Sequence, residues 1–102
     1  MAERESTVPL LSPQAEELLK NLHGWTLSEG AKKISKEFTF KNFVEAMEFA
    51  NRITLIAEAE GHHPDLHIGW GKVVVETSTH SVDGLSEKDF ALAAKIDQLK
   101  RK

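Results

Sequence analysis

Cysteine is absent from the 102-residue sequence. Its absence excludes disulfide scaffolds, thiolate zinc sites and cysteine nucleophiles. An excess of basic residues is also absent, since 13 Lys and Arg stand against 16 Asp and Glu and give a formal net charge of −3. Because neutralisation of phosphates supplies most of the affinity of nucleic-acid binders, this balance argues against a nucleic-acid partner.

Long apolar runs are missing as well. No stretch approaches the ~20 residues that span a bilayer, and residues 1–5 lack the basic and apolar regions of a signal peptide. The six glycines are scattered and form no phosphate-binding loop, and no serine elbow of a hydrolase is present. We therefore expect a soluble, cytoplasmic protein with no membrane partner.

The chain has the length and composition of one small domain. With 40% hydrophobic residues it should bury roughly two thirds of its unfolded surface around a single core. Residues 1–11 show no periodicity and are predicted to form a flexible N-terminal arm. Residues 12–102 are predicted to form one folded domain.

Hydrophobic periodicity and turn signals predict seven elements. A first helix should begin at Ser12-Pro13, with the serine as N-cap, and end at Gly24. The other predicted elements are strands at 25–28 and 34–40, a long helix from Asn42 to Gly61, strands at 66–70 and 73–79, and a final helix after Ser86. Gly71-Lys72 is expected to form a type II′ hairpin turn. The order α-β-β-α-β-β-α predicts an α+β fold, in which helices pack on one face of a four-stranded antiparallel sheet.

Histidine is the residue type in excess. Of five histidines, His62, His63 and His67 fall within six residues. The first two are expected at the C-terminal end of the long helix, where free carbonyl groups favour imidazolium. His80 follows the last predicted strand and could approach them across the end of the sheet. Since histidine titrates near neutral pH, such a cluster suits general acid–base catalysis.

Zinc binding is an alternative interpretation of this cluster, because its imidazoles and the nearby Glu58 and Glu60 offer enough ligands. The spacing does not favour a metal. Pro64 separates His63 from His67 and prevents the helix that would direct both rings to one ion. We therefore expect no metal site, and a chance cluster on a solvated loop is the remaining alternative.

Residues around these histidines resemble a known family signature. They are Glu58-Ala59-Glu60-Gly61-His62-His63-Pro64-Asp65, Trp70, Thr79-His80, Gly84-Leu85-Ser86 and Asp89. The sequence resembles the pterin-4a-carbinolamine dehydratases over roughly residues 10–100. It departs at Gly61, where some members have aspartate or asparagine, and at Lys88, where some have arginine.

The resemblance implies a hydro-lyase, a 4a-hydroxytetrahydrobiopterin dehydratase. Such an enzyme converts 4a-hydroxytetrahydropterin to quinonoid dihydropterin and so recycles the tetrahydropterin cofactor of aromatic amino acid hydroxylases. The resemblance further implies a small-molecule pterin substrate, no metal, no organic cofactor, and assembly as a homodimer or homotetramer.

By the same resemblance, His62 and His80 are candidates for the catalytic acid and base, and His63 for binding or polarising the pterin. Glu58 and Asp89 would orient or charge-stabilise the imidazoles. The substrate-binding residues implied by the family are Glu58, Pro64, Trp70, Lys88 and Asp89.

Asp89 also has a purely local interpretation. It stands three residues after Ser86, where its carboxylate could accept the Ser86 backbone N–H and stabilise the start of the last helix. Both roles are compatible. A second hypothesis for the whole chain is a non-catalytic binding or dimerisation scaffold of the same fold.

Overall fold

A computed structural model of the protein describes residues 9–101, and it confirms the predicted order of helices and strands. The elements are α1 (Ser12–Leu19), β1 (Thr26–Leu27), β2 (Ile34–Thr39), α2 (Phe43–Glu60), β3 (Asp65–Gly69), β4 (Lys72–Thr77) and α3 (Glu87–Arg101). Two one-turn 3₁₀ segments, Glu29–Ala31 and His80–Val82, follow β1 and β4. Residues 1–8 of the predicted arm and Lys102 lie outside the described residues.

The four strands form one antiparallel sheet in the order β1-β2-β4-β3. The hairpins β1–β2 and β3–β4 therefore meet through their second strands, whose register pairs Ile34 with Thr77 and Phe38 with Val73. Alternate residues of β4 are buried, and in β2 Ile34 and Phe38 are buried on the same face with the half-buried Lys36 between them, as a sheet with one covered face requires. The helices pack on that face, where the Phe38 and Phe49 ring centroids lie 4.9 Å apart. The predicted α+β fold is confirmed.

Local signals set the ends of α2. The Asn42 side chain accepts a hydrogen bond from the Glu45 backbone N–H at 2.9 Å, which is the predicted N-cap. Gly61 ends the helix in the left-handed conformation, with φ at 66°. α2 is the longest helix described, yet no helix between residues 9 and 101 is long and apolar enough to cross a membrane.

α1 begins at Ser12, as predicted, but the predicted N-cap residue and the predicted end are wrong. Leu11, not Ser12, is the N-cap residue, and its backbone N–H donates to the Gln14 side chain at 2.9 Å. This bond satisfies the N–H of the N-cap residue; a serine N-cap would instead accept a backbone N–H of the first turn. The helix ends at Leu19, and residues between it and Gly24 continue as turns.

The turn between β3 and β4 also differs from the prediction. Gly69 pairs with Lys72, so the two connecting residues are Trp70 and Gly71. Neither has a positive φ, which excludes type II′ geometry. Glycine is required for another reason, because a Cβ at position 71 would lie 2.8 Å from the Phe40 carbonyl oxygen. The Gly71 carbonyl oxygen in turn accepts the Phe40 N–H at 2.7 Å.

The second half of α3 is tied to the sheet through Asp97. Its carboxylate accepts hydrogen bonds from the Lys36 ammonium at 2.9 Å and from the Trp25 indole N–H at 3.1 Å. Trp25 is buried in the core. The indole ring contributes apolar area while its N–H stays bonded, which is how buried tryptophans are normally accommodated.

Candidate functional site

A cavity of about 470 Å³ opens at the end of the sheet where α2 and β4 terminate. Its lining includes His62, His63, Pro64, His80 and Lys88. The first three follow directly after Gly61, the C-cap of α2. His80 begins the 3₁₀ segment after β4. The approach of His80 to the histidine pair, expected from topology, is therefore observed.

His62 lies against a buried carboxylate. Its Nε2 atom is 2.6 Å from Asp89 Oδ1, and the exposed fractions of the two side chains are 11% and 0%. Asp89 sits in the first turn of α3, so this contact joins the end of α2 to the start of α3. A carboxylate bonded to one ring nitrogen fixes the orientation of an imidazole, and leaves the other nitrogen for chemistry.

Asp89 has three further hydrogen-bond partners. The Thr77 hydroxyl donates to Oδ1 at 2.6 Å, and the Thr79 hydroxyl donates to Oδ2 at 2.7 Å. The Ser86 backbone N–H donates to Oδ2 at 3.0 Å. A buried carboxylate without partners would be very costly, and these contacts offset that cost. The local capping contact of Asp89 and its contact with a site histidine are both present.

His63 has a carboxylate partner in a different environment. Its Nε2 atom is 2.6 Å from Glu58 Oε2, but the two side chains are 62% and 70% exposed. Glu58 lies in the last turn of α2 and lines a second, smaller cavity of about 110 Å³. His63 and Pro64 line both cavities. This pair lies at the solvent-exposed rim of the site.

The segment that carries His80 is held from both sides. Thr79 and Gly84 form an antiparallel bridge, with the Thr79 N–H donating to the Gly84 carbonyl oxygen at 2.6 Å. Pro9 packs against Gly84, where a Cβ would lie 2.7 Å from the Pro9 Cβ. Lys32 also binds Asp83, with 3.2 Å between Nζ and Oδ2. These contacts fix the loop, while the His80 side chain stays exposed.

Trp70 is placed away from this cavity. It lies in the β3–β4 turn, at the opposite end of the hairpin from His62 and His80, and is 74% exposed. Trp70 therefore does not line the cavity of its own chain. β3 separates the turn from the cavity by about 17 Å of extended chain. His67 lies outside the cavity too, with its Nε2 atom 3.5 Å from Glu76.

Sequence reasoning missed the threonine hydroxyl groups that donate to Asp89. Thr77 follows the buried Val73 and Val75 at intervals of two, so strand alternation places its polar side chain on the covered face. That signal could have identified it. Among residues 9–101, no three His, Asp or Glu side chains gather closely enough to hold a metal ion.

The chain is similar to proteins of one known family. Residues 8–99 match the family model described as Pterin 4 alpha carbinolamine dehydratase. A curated protein of Methylococcus capsulatus is 48% identical over 91 residues, covering 89% of this chain and 80% of that protein. Its name assigns it provisionally to the same activity. A similarly named protein of Halorhodospira halophila is 46% identical over 91 residues, with 89% and 84% covered.

Solved structures show the same fold. A crystal structure titled as a transcriptional coactivator/pterin dehydratase from Brucella melitensis superposes with a TM-score of 0.84 at 33% identity, covering 89% of this chain and 97% of that one. A pterin dehydratase-like protein, identified as a RuBisCO assembly factor in the alpha-carboxysome, superposes with a TM-score of 0.65 at 23% identity over 76% and 89%. Because residues 8–99 of its 102 residues match the family model, the chain belongs to the pterin-4a-carbinolamine dehydratase family.

Proposed function

We propose that this protein is a hydro-lyase that dehydrates 4a-hydroxytetrahydropterin to quinonoid dihydropterin. The observation that carries the proposal is the presence of three imidazoles, those of His62, His63 and His80, on one cavity of a family member. A flat, polar heterocycle suits an open cavity with polar walls. The reaction would return the tetrahydropterin cofactor to use after an aromatic amino acid hydroxylase has acted.

The elimination requires two proton transfers. The 4a-hydroxyl must gain a proton so that the C4a–O bond breaks and water leaves. A neighbouring ring nitrogen must lose its proton so that a C=N bond forms. Two imidazoles in opposite protonation states can perform both transfers, and His62 and His80 are our candidates. His63 then binds or polarises the ring.

The other proposed site residues act on these imidazoles or on the substrate. Asp89 and Glu58 keep the rings of His62 and His63 in place and balance the positive charge of the imidazolium. Pro64 shapes the cavity wall between the two histidine-bearing segments. The Lys88 ammonium, on the cavity wall, would bind a polar edge of the pterin. None of these roles needs a metal or an organic cofactor.

The decisive experiment follows the decay of freshly generated 4a-hydroxytetrahydropterin with and without the protein. Acceleration in proportion to protein concentration is expected. The matched control is the double variant His62→Ala/His80→Ala at the same concentration, which should return the decay to its spontaneous rate. Decay that the wild-type protein leaves unchanged would remove the proposal.

A non-catalytic scaffold is the second candidate. The observation in its favour is that a protein of the same fold is identified as a RuBisCO assembly factor, although 23% identity carries only the fold to this chain. A scaffold needs no histidine cluster around a cavity, and His62, His63 and His80 are all present here. The same decay assay separates the two candidates.

Self-association and a cytoplasmic location complete the proposal. Within the described residues β3 pairs only with β4, so its other edge has backbone groups without a strand partner there, which favour pairing with a second chain. We expect a homodimer or homotetramer in sedimentation velocity at micromolar concentration. A purely monomeric mass would contradict this part of the proposal and leave the enzymatic part standing.

A further inference from the structure

We propose that Thr77 is a positioning residue of this site. Its hydroxyl, assisted by that of Thr79, holds the Asp89 carboxylate so that His62 keeps its proton on Nε2 and uses Nδ1 for proton exchange. The catalytic half of this inference rests on the proposed dehydratase function. The structural half, the tautomer of His62, is independent of it.

A complete account of donors and acceptors supports the assignment. An ionised carboxylate accepts about four hydrogen bonds and donates none. Asp89 receives one from each threonine hydroxyl and one from the Ser86 N–H. The Thr79 hydroxyl gives its only proton to Asp89, so the Ser86 hydroxyl must be the donor in the 2.7 Å contact between the two. The Ser86 oxygen still accepts the Lys88 backbone N–H at 3.3 Å.

His62 fills the last acceptor position. Because an ionised carboxylate has no proton to donate, His62 must be the donor, through an Nε2–H directed at Oδ1. In the neutral ring Nδ1 then has no proton and is the nitrogen that can accept one. Were Asp89 free to rotate, either ring nitrogen could carry the proton, and the population with the reactive nitrogen in place would fall.

Thr77 is the most informative member of this network. It is 2% exposed and lies on the covered face of β4 after Val73 and Val75, opposite Ile34, which is 0% exposed. A residue chosen for packing alone at such a position would be valine, which has the same shape without the hydroxyl. The hydroxyl instead donates to Oδ1, the oxygen that His62 also contacts.

The test compares three variants. Thr77→Val removes the hydroxyl and keeps the shape, Thr77→Ser keeps the hydroxyl, and Thr39→Val makes the same change at an exposed site on β2. Since a hydrogen bond to a charged group is lost, we expect kcat to fall by about tenfold in Thr77→Val with KM changed by less than about twofold. Thr77→Ser should restore kcat, and Thr39→Val should match the wild-type protein.

Nitrogen-15 NMR of the imidazole supplies a readout that needs no activity. In the wild-type protein at mildly alkaline pH, His62 should show a protonated Nε2 and an unprotonated Nδ1, with an Nε2–H protected from exchange. His62→Gln assigns the signals. In Thr77→Val the Nε2–H should lose protection or the two tautomers should mix, and Thr77→Ser should retain the wild-type pattern.

Each outcome decides one part. A wild-type Nδ1–H tautomer, or a Thr77→Val protein with unchanged kcat and unchanged NMR signals, overturns the inference. A wild-type protein without dehydratase activity but with the expected response of His62 to Thr77→Val removes the proposed function and keeps the positioning role. If circular dichroism shows that Thr77→Val is unfolded, Thr77→Ala takes its place in both measurements.

Discussion

The two carboxylate–histidine pairs at the end of α2 have the same length and different surroundings. In both, 2.6 Å separates Nε2 from a carboxylate oxygen. The His62–Asp89 pair is almost fully buried and its carboxylate has three other donors, whereas the His63–Glu58 pair is mostly exposed. The Glu58 side chain is free to exchange this contact for water, but Asp89 has no such alternative.

The difference shows that the length of a contact does not measure its contribution to stability. An exposed ion pair is screened by solvent and contributes little, about 0 to 1 kcal/mol. Buried polar networks have a larger effect, because any lost partner leaves an unsatisfied group in a medium of low dielectric constant. We therefore expect His62 to be the preorganised imidazole of the site and His63 the adaptable one.

The largest expected effect comes from removing the imidazoles themselves. His62→Ala and His80→Ala should each lower the turnover number by about 10²- to 10⁴-fold, the usual contribution of general acid–base catalysis. Steady-state kinetics on folded variants checks this. His67→Ala is the matched control and should be close to neutral, since His67 is exposed and contacts Glu76 outside the cavity. A large loss at His67 with little at His80 would show that the third histidine is wrongly assigned.

Asp89→Asn tests the buried pair directly. The amide keeps the shape, but its NH₂ group must face donors on at least one side, so a buried donor loses its acceptor. We expect turnover to fall by about 100-fold and the free energy of unfolding to fall by about 2 to 3 kcal/mol. Kinetics and chemical denaturation measure the two effects.

Asp97→Asn is the matched control for Asp89→Asn. Asp97 lies on the same helix and binds Lys36 and Trp25 far from the cavity. It should lower stability and leave turnover unchanged. If Asp89→Asn behaved in the same way, only the helix-capping role of Asp89 would remain.

The sequence was sufficient for features set by neighbouring residues. Asn42 and Gly61 mark the ends of α2, and the Ser86-to-Asp89 spacing predicts the capping contact at the start of α3. What it could not supply are contacts between distant segments. The Thr77–Asp89 bond exists only because β4 ends beside α3. The sequence places Gly71 in a turn, but it does not show that glycine is required there by the close approach of the Phe40 backbone, directly after β2.

Glu58→Gln tests the exposed His63–Glu58 pair. Because the His63–Glu58 contact is open to solvent, we expect a change of about 0.5 kcal/mol or less in the free energy of unfolding. Turnover should change by no more than about threefold, and the change should shrink at high salt because exposed charges are screened. Kinetics at two salt concentrations measure this. A loss as large as that of Asp89→Asn would mean that solvent exposure does not separate the two pairs.

Metal removal has the smallest expected effect, which is none. A catalytic zinc site needs three protein ligands with free donor atoms. The described part of the chain has no cluster of three such side chains. Protein treated with excess chelator and dialysed should keep its full turnover number and contain far less than one metal ion per chain. The contrary result is stoichiometric zinc in untreated protein, with activity lost on removal of the zinc and restored on its return. That result would overturn the assignment of both pairs to proton transfer. Their carboxylates would then be partners of metal ligands.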